Sequence, residues 1–494
     1  MRSDSEDQTA WLADLTYVGG QFRRGLAVVS DGRTGRIVSV AREEEIGAAR
    51  VVRLKDRALL PGLVNAHSHA FQRVIRGRTE YRTGERDTFW TWREMMYSAA
   101  ARLTPEDIYD ASRMAFLEMA LAGVTSVGEF HYLHHNADGR PYDDPNLLSK
   151  QVVRAARDVG IRVALLRVAY ARSGFDKPTD ERQRRFITGD PADFLKHADA
   201  LATELARPPA GERTDEGVAG GALPAAWLGV APHSVRAVPL PYLREVSEYA
   251  AAHALPIHMH VAEQPAEIEA CLAEHARTPV ALLSDEGVTG PRFTAVHAVH
   301  VTDAEADALA RSRSHVCACP TTERNLGDGV VPADLFFESG VRVALGTDSH
   351  AQIDLLEDAR ELELNLRLTK LSRAVLAPGG DRPSHDQQPP QLSSLAARLF
   401  ECATVHGASS IAAPAGALEA GAAADFFAVD LNDPSLAGAG DDDLLPSVVF
   451  AAGRAAVGET VVGGRAVVES GRHGAQEEIV ARFSALQRRL WGSV

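Results

Sequence analysis

The chain has 494 residues, of which 45% are hydrophobic and 24% are charged, and its 52 Lys and Arg residues against 67 Asp and Glu residues give a formal net charge of −15. This length allows a large core, either as one barrel of roughly 250 residues or more with appended pieces or as two or three ordinary domains. The acidic balance, without a run of Lys and Arg, argues against a general nucleic-acid or anionic-membrane binder.

Cysteine usage and the first residues bear on the cellular compartment. The four cysteines are too few and too unevenly spaced for a disulfide scaffold, and Cys317 and Cys319 lack the second pair of a zinc knuckle. Residues 1–10 are polar and acidic, unlike a signal peptide, and no window has the ~20 uninterrupted apolar residues of a membrane helix. We therefore expect a cytoplasmic protein.

The two ends of the chain share a β-rich pattern. Short β-rich runs separated by turn residues predict strands at 11–18, 25–30 and 36–40, and then at 425–429, 447–450, 459–462 and 465–468. Two β-rich ends around a long middle predict one small β-sandwich domain made of residues 1–60 and 415–475. A C-terminal helix is predicted over residues 476–494.

The middle of the chain alternates between apolar strand-like runs and helix-like stretches. The strands are predicted at 60–66, 124–127, 162–167, 227–231, 256–261, 294–297, 315–319 and 341–346. One helix has an N-cap at Thr104 and a proline at Pro105, which lead into residues 108–122. Eight such units predict an α/β fold, a (β/α)8 TIM-type barrel over residues 61–414. Residues 206–226 and 376–391 have the composition of loops or inserts.

Histidines and carboxylates mark the ends of four predicted strands. His67 and His69 stand at i and i+2, so they project to the same face of a strand, and imidazole pairs suit Zn²⁺ and similar divalent ions. Three later strands end, in chain order, with His260 and Glu263, with His297, and with Asp348. These groups exceed the needs of one ion, which is typical of a catalytic site where some groups bind metal and others move protons.

Other histidines have simpler interpretations. His258 lies on the same strand face as His260 but deeper, which favours a hydrogen-bonded histidine of the barrel core. His131, His134 and His135 could form a second metal site, but we expect a polar cluster carried by a loop.

The ordered set of strand-end residues resembles the amidohydrolase superfamily, in particular its mononuclear deaminase-like branch. The resemblance covers nearly the whole chain, and no strand-end lysine stands out as a bridging carbamate, which agrees with one metal ion rather than two. It implies one divalent ion, with Zn²⁺ expected first and Fe²⁺, Mn²⁺ or Co²⁺ compatible with the same ligand types. The ligands that it implies are His67, His69, His260 and Asp348.

The same resemblance implies catalytic roles for Glu263, His297 and Asp348. Asp348 accepts a proton from the attacking water and passes it to a leaving nitrogen. Glu263 pairs with an amidine or ring nitrogen, and His297 orients the water and stabilises the developing charge. Within the superfamily, a glutamate three residues after a ligand histidine favours C=N substrates and therefore deamination.

Longer motifs are similar to the N-formimino-L-glutamate deiminase family of histidine degradation. They are AFQR at 70–73, FWTWREMMY at 89–97, GEFHY at 128–132, APHSVR at 231–236 and CPTTE at 319–323. The substrate of that family carries a formimidoyl group and two carboxylates. The resemblance therefore implies hydrolysis of N-formimino-L-glutamate to N-formyl-L-glutamate and ammonia, and it also implies a homodimer.

Five residues of these motifs match the substrate-binding positions of the family. Arg93 and Arg236 match the carboxylate-binding positions, and the other contacts are Gln72, Tyr132 and His233. Planar guanidinium groups bind carboxylates bidentately and stay charged, so two arginines suit a dicarboxylate. Spacing alone equally allows Arg93 to lie on a solvated helix face or to form a salt bridge with Glu94.

Some features depart from the family pattern, and other functions stay open. Arg324 stands where a small residue is expected, and it either adds positive charge near the mouth of the site or points outward. The nearest alternative function is a nucleobase-type aminohydrolase, guanine or cytosine deaminase-like, which would share the metal site but have little use for two arginines. A non-catalytic scaffold with this fold is the other alternative, and the complete set of metal and catalytic groups disfavours it.

Overall fold

The structure is a computed structural model that describes residues 7–81, 89–175, 177, 180–207, 221–378 and 394–492. Most of the predicted inserts at 206–226 and 376–391 lie outside the described residues. Within the described ranges, no helix has both the length and the apolar character needed to cross a membrane.

The N-terminal residues form five strands of a mixed sheet. These are β1 (Gln8–Val18), β2 (Gln21–Arg23), β3 (Leu26–Asp31), β4 (Arg36–Arg42) and β5 (Arg50–Pro61). β1 pairs with β2 and β3 in antiparallel fashion and with β5 in parallel. β5 alternates between more and less exposed positions until residue 58, where it becomes fully buried and leads into the next strand.

Eight parallel strands then form a barrel in which each strand pairs with the next one along the chain. They are β6 (Leu63–Ser68), β7 (Val124–His131), β8 (Arg162–Ala169), β9 (Ala226–Pro232), β10 (Ile257–Val261), β11 (Phe293–His297), β12 (His315–Ala318) and β13 (Arg342–Leu345). A parallel bridge between Ser68 and Asp348 joins the two edges of this sheet. The predicted (β/α)8 barrel is confirmed, and because its strands are buried on both faces they read as nearly continuous apolar runs.

The helices lie between and after the barrel strands. They are α1 (Phe89–Arg102), α2 (Pro105–Leu121), α3 (Leu147–Val159), α4 (Pro191–Leu205), α5 (Leu240–Ala252), α6 (Pro265–His275), α7 (Pro279–Asp285), α8 (Asp303–Arg311), α9 (Pro320–Leu326), α10 (Ala333–Ser339), α11 (Leu355–Lys370), α12 (Ser394–Cys402) and α13 (Val405–Ile411). The predicted start of α2 is confirmed, since the Thr104 hydroxyl accepts from the Asp107 backbone N–H at 3.2 Å. The Asp107 carboxylate in turn accepts from the Thr104 backbone N–H at 2.7 Å, which completes a capping box.

The C-terminal part returns to the first sheet. Its strands β14 (Phe426–Asp430), β15 (Val457–Val462), β16 (Arg465–Glu469) and β17 (Arg472–His473) extend the sheet beyond β5, giving nine strands among the described residues. The small β domain built from both chain ends is therefore confirmed. The strand predicted at 447–450 is wrong, because these residues belong to the helix α14 (Leu444–Phe450).

The last helix, α15 (Gln476–Trp491), packs beside α2 and supports the segment that follows the first metal-ligand candidates. The Gln487 amide and the Trp491 indole both donate hydrogen bonds to the Val74 carbonyl, at 3.0 and 3.2 Å. Val74 belongs to the 3₁₀ helix Ala70–Ile75, which starts directly after His69. The predicted C-terminal helix thus fixes a segment of the barrel mouth.

A buried ion pair joins the β domain to the end of the barrel opposite the site. Arg162 at the start of β8 donates two hydrogen bonds to Asp425, at 2.8 and 3.2 Å, and Gly463 N–H donates to the same carboxylate at 2.7 Å. Removing one partner of such a pair leaves a buried charge without compensation. We therefore expect Asp425→Ala to lower the free energy of unfolding by about 3–5 kcal/mol, measured by urea denaturation.

The exposed pair between Arg24 and Asp441 offers a matched control. Its side chains are 68% and 46% exposed, so Asp441→Ala should change the free energy of unfolding by about 1 kcal/mol or less. Equal effects of the two substitutions would contradict a structural role for Asp425.

Candidate active site

Three imidazoles and one carboxylate converge where the carboxyl ends of the barrel strands meet. The Nε2 atom of His67 lies 3.2 Å from Nε2 of both His69 and His260. The Oδ1 atom of Asp348 lies 3.1 and 3.2 Å from Nε2 of His67 and His69. Four ligands bound at ~2.0 Å in a tetrahedron stand roughly 3.3 Å apart, so these separations fit one divalent ion. All four side chains are buried.

Backbone carbonyls orient two of these imidazoles. His69 directs Nδ1 to the Phe130 carbonyl at 2.9 Å, and His260 directs Nδ1 to the His233 carbonyl at 3.1 Å. A proton on Nδ1 leaves the Nε2 lone pair for a metal ion, which is the usual arrangement of ligand histidines.

The protonation states also suit metal ligands. Burial lowers the pKa of His67 to about 3 and holds the pKa of His260 well below its ordinary value, so both rings are neutral near pH 7. For Asp348, burial opposes ionisation, but the adjacent His67 and His69 rings outweigh it and hold the pKa well below the usual range. Neutral imidazole and ionised carboxylate are the forms that bind a divalent cation, so the residues fit such an ion.

The backbone around Asp348 ties the last ligand to the first two. Asp348 N–H donates to the His67 carbonyl at 3.0 Å, and His69 N–H donates to the Asp348 carbonyl at 3.0 Å. Asp348 has a positive φ of 43°, in the left-handed region that Asp enters more readily than most residues. This conformation turns the carboxylate towards the histidines as soon as β13 has ended.

Gly346 leaves the space that His67 needs. A Cβ atom at this position would lie 2.7 Å from the His67 Cβ and 2.9 Å from its carbonyl oxygen. We expect Gly346→Ala to displace His67, to weaken metal binding roughly 10–100-fold and to destabilise the fold by about 1–3 kcal/mol. Metal content after dialysis against a buffered metal solution measures the effect.

Gly453→Ala is the matched control, since nothing lies within 4 Å of a Cβ built there. Full metal retention in Gly346→Ala would show that the barrel wall can move without disturbing the ligands.

A chain of charged groups lies beside the metal-ligand candidates. The Glu263 carboxylate is 3.7 Å from Nε2 of His297, whose Nδ1 lies 3.3 Å from the Glu323 carboxylate. Glu323 is itself fixed by accepting from the Cys319 backbone N–H at 2.8 Å. Burial acts to lower the pKa of His297, but the negative charges of Glu263 and then Glu323 outweigh it and raise that pKa well above its ordinary value. His297 is therefore a charged hydrogen-bond donor whose Nε2 faces Glu263.

Arg236 places a positive charge beside Glu263, the first of these charged groups. Its guanidinium lies 4.0 Å from the Glu263 carboxylate and 3.8 Å from Glu267. Burial opposes the charge, but Glu267 and then Glu263 outweigh it and raise the pKa of Arg236, so the side chain stays cationic. Glu267 also accepts from the Glu263 backbone N–H at 3.2 Å.

One pocket connects these groups. Ten of the predicted site residues line this pocket, namely His69, Gln72, Arg93, Tyr132, His233, Arg236, His260, Glu263, His297 and Asp348. The remaining one, His67, lies directly behind His69 and His260. Gln72 donates to the Tyr132 hydroxyl at 2.8 Å. Glu94 contacts Arg182, and Arg93 donates to the Tyr97 hydroxyl. The structure therefore places every predicted site residue at one pocket.

The remaining histidines and Arg324 have other surroundings. His258 contacts the Ser410 carbonyl at 2.9 Å, in agreement with a core histidine. His134 and His135 contact the backbone carbonyls of residues 168 and 187, both at 2.8 Å. Among the described residues none of these histidines belongs to a group that could hold a metal ion. Arg324 is 44% exposed and contacts Glu361 at 2.7 Å, so it points outward.

Sequence reasoning missed several residues of the site. Glu323 belongs to the CPTTE motif at 319–323, but its hydrogen bond with His297 becomes apparent only in the folded structure. Glu129 follows the same pattern: it accepts from the Ser68 hydroxyl at 2.6 Å and the Ala70 backbone N–H at 2.7 Å, and burial raises its pKa to about 7. Tyr97 comes from α1, Tyr170 from the loop after β8 and Gln183 from a short 3₁₀ helix, and no periodic pattern in the sequence marks them.

Comparison with known proteins identifies the family. Residues 58–467, more than half of the chain, match the amidohydrolase family. The chain belongs to the amidohydrolase family. A formimidoylglutamate deiminase from Pseudomonas aeruginosa is 40% identical over 428 residues, covering 86% of this chain and 88% of that protein. The resemblance predicted from the motifs is thus confirmed.

Two solved structures share the fold of this chain. An amidohydrolase from Brucella melitensis superposes with a TM-score of 0.84 at 33% identity, covering 98% of this chain and 99% of that one. An adenosine deaminase from Xanthomonas campestris with bound zinc superposes with a TM-score of 0.79 at 22% identity, covering 98% of both chains, which shows the fold alone.

Proposed function

We propose that this amidohydrolase hydrolyses N-formimino-L-glutamate to N-formyl-L-glutamate and ammonia, as a step of histidine degradation. The observation that carries the proposal is one pocket that is lined both by members of the metal-ligand set and by two arginines. A metal-ligand set supports hydrolysis, and the arginines supply the charge that a dicarboxylate needs. The 40% identical formimidoylglutamate deiminase supports the same substrate.

His67, His69, His260 and Asp348 would hold one divalent metal ion, and we propose Zn²⁺, with Fe²⁺ or Mn²⁺ as the other candidates for this ligand set. When bound, such an ion supplies a nucleophile near neutral pH, because it lowers the pKa of a coordinated water from 15.7 to about 7. The cavity open beside Asp348 leaves room for that water and for the substrate.

The protein groups around the reacting carbon have separate roles in the proposed reaction. Water adds to the formimidoyl carbon, and Asp348 accepts its proton and later gives one to the departing ammonia. Glu263 binds the amidine nitrogen and makes the carbon more electrophilic. His297, held at Nδ1 by Glu323, donates from Nε2 to the negative charge that develops on oxygen.

The rest of the pocket binds the glutamate portion. Arg93 and Arg236 bind the two carboxylates, and Gln72, Tyr132 and His233 complete the substrate contacts by hydrogen bonds. Tyr132 and His233 also pack against His69 and His260, with ring centroids 5.1 and 4.8 Å apart, so substrate-binding and metal-binding side chains support each other.

The direct test is a substrate panel assayed together with metal content. Ammonia release from N-formimino-L-glutamate should be fast, and guanine, cytosine and adenosine should give little or none. The organic product should be N-formyl-L-glutamate, whereas formamide release would indicate a different reaction. Rapid turnover of a nucleobase without turnover of the formimidoyl compound would contradict the proposal.

We also propose that the enzyme is a cytoplasmic homodimer, as the family resemblance implies. Light scattering on the purified protein tests the dimer, and a monomer of 53.0 kDa would contradict it.

A further inference from the structure

Two tyrosines that the proposed reaction does not use lie where the arginines of the pocket converge. Tyr97 on α1 and Tyr170 directly after β8 both line the pocket, and they are 4% and 5% exposed. Arg93 donates its Nε–H to the Tyr97 hydroxyl and lies over that ring, 5.1 Å from the centroid. Burial and the neighbouring Tyr97 raise the pKa of Tyr170, while the charges of Arg93 and Arg236 oppose the rise. Tyr170 is thus a neutral donor close to two cations.

A buried glutamine fixes the direction of these hydroxyl groups. Gln183, at the end of the short 3₁₀ helix Glu181–Gln183, is fully buried, and its Nε2 donates to the hydroxyls of Tyr97 and Tyr170, at 2.5 and 3.0 Å. Within the described structure its Oε1 has no hydrogen-bond partner. Gln183 therefore contributes protons to the pair and accepts none from it.

The two tyrosine hydroxyls have more protons than free acceptors between them. A hydroxyl oxygen has two lone pairs, and those of Tyr97 are taken by Arg93 and Gln183, so Tyr97 must donate its own proton. Gln183 donates to one lone pair of the Tyr170 oxygen, and the other lone pair can accept one more hydrogen bond. Even if Tyr97 donates to Tyr170, one of the two hydroxyl protons remains for an acceptor that enters the pocket.

We infer that Tyr97 and Tyr170, oriented by Gln183, form a hydroxyl pair that binds the side-chain carboxylate of a glutamate-type ligand together with Arg93. This inference rests on the proposed function for the identity of the ligand. Arg236 lies beside Glu263 and so belongs to the end near the reacting carbon, where the substrate's other carboxylate is attached. Arg93 contacts Tyr97 instead, which places the hydroxyl pair with the second arginine. Together, a cation and neutral O–H donors can bind both oxygens of a carboxylate.

The test compares Tyr170→Phe and Gln183→Glu with the unchanged enzyme on two substrates. N-formimino-L-glutamate has the side-chain carboxylate, and N-formimidoylglycine lacks it. We expect KM for the glutamate compound to rise on the order of tenfold in Tyr170→Phe, because one hydrogen bond to an ion is lost. Gln183→Glu should raise KM further, because an ionised carboxylate accepts both hydroxyl protons and repels the ligand. In both variants kcat should change little, and the glycine compound should react as with the unchanged enzyme.

Tyr242→Phe is the control, since the Tyr242 hydroxyl donates to the Thr188 carbonyl away from the pocket. Metal content and thermal unfolding are measured for every variant, and Tyr97→Phe replaces any that fails to fold. An unchanged KM for the glutamate compound, or an equal loss on both substrates, overturns the hydroxyl pair. If the unchanged enzyme does not turn over N-formimino-L-glutamate, the proposed function fails. Calorimetric binding of glutarate to the same variants then decides on the hydroxyl pair, which equal affinities would overturn.

Discussion

Arg236→Met is expected to lower kcat/KM for N-formimino-L-glutamate by roughly 10²–10³-fold while the protein keeps its metal ion. The Arg236 side chain is only 15% exposed, and it stays cationic between Glu263 and Glu267. In the variant, which lacks the guanidinium, a substrate carboxylate at this position would be buried next to the carboxyl groups of Glu263 and Glu267. The loss should appear mainly in KM if Arg236 binds substrate and transition state alike, and steady-state kinetics with metal analysis measures it.

Arg324→Met provides the comparison, because this arginine is 44% exposed and contacts Glu361 outside the pocket. We expect its kinetics to equal those of the unchanged enzyme. Arg93→Met should act in the same direction as Arg236→Met, since both arginines line the pocket. Wild-type kinetics in Arg236→Met would remove that residue from substrate binding and favour a smaller or uncharged substrate.

Removal of the metal ion should abolish turnover, and the activity should return with one equivalent of Zn²⁺, Fe²⁺ or Mn²⁺ per chain. The four ligand atoms lie within 4.8 Å of one another in a buried site, and the proposed reaction needs an ion there to activate water near neutral pH. Bound metal also stabilises the folded state by mass action, so the chelated protein should unfold at a lower temperature. Atomic absorption, ammonia release and a thermal scan on the same sample follow the three effects.

Asp348→Asn tests the same site without a chelator. Asparagine is a weaker ligand and cannot carry the proton to the leaving nitrogen, so we expect low metal content and a loss of more than ~10³-fold that added metal does not restore. Asp441→Asn is a suitable control, since this carboxylate is 46% exposed in the β domain. Activity of the chelated enzyme equal to that of the untreated one would exclude a catalytic metal.

The metal-ligand set could be predicted from the sequence because it depends on a regular feature of the fold. His67, His260 and Asp348 each follow or end an apolar run, and the carboxyl ends of parallel barrel strands meet at one face. Arg93 and Arg236 have no such regularity, and only the family motifs singled them out. Gln183 could not be predicted either way, since its role depends on a loop folding back behind two tyrosines.

The strand predicted at 447–450 was wrong because the prediction considered too short a stretch of sequence. Ser-Val-Val-Phe is rich in strand-forming residues, but the buried positions of α14 are Leu444, Leu445, Val448 and Val449. That spacing of i, i+1, i+4 and i+5 is helical, and it becomes visible only when the window includes the two leucines. Packing of this face decided the structure against the local preference of the valines.

The junction between the first and last barrel strands sets when the enzyme can become active during its synthesis. Asn65 donates to the Thr347 hydroxyl at 2.7 Å across 282 residues of chain, next to the bridge between Ser68 and Asp348. Because ribosomes add roughly 5–20 residues per second, His67 and His69 wait on the order of tens of seconds for their carboxylate partner. A nascent chain therefore carries an incomplete ligand set for most of its synthesis. Because the proposed site needs Asp348, we expect metal binding and catalysis only in chains that extend past β13.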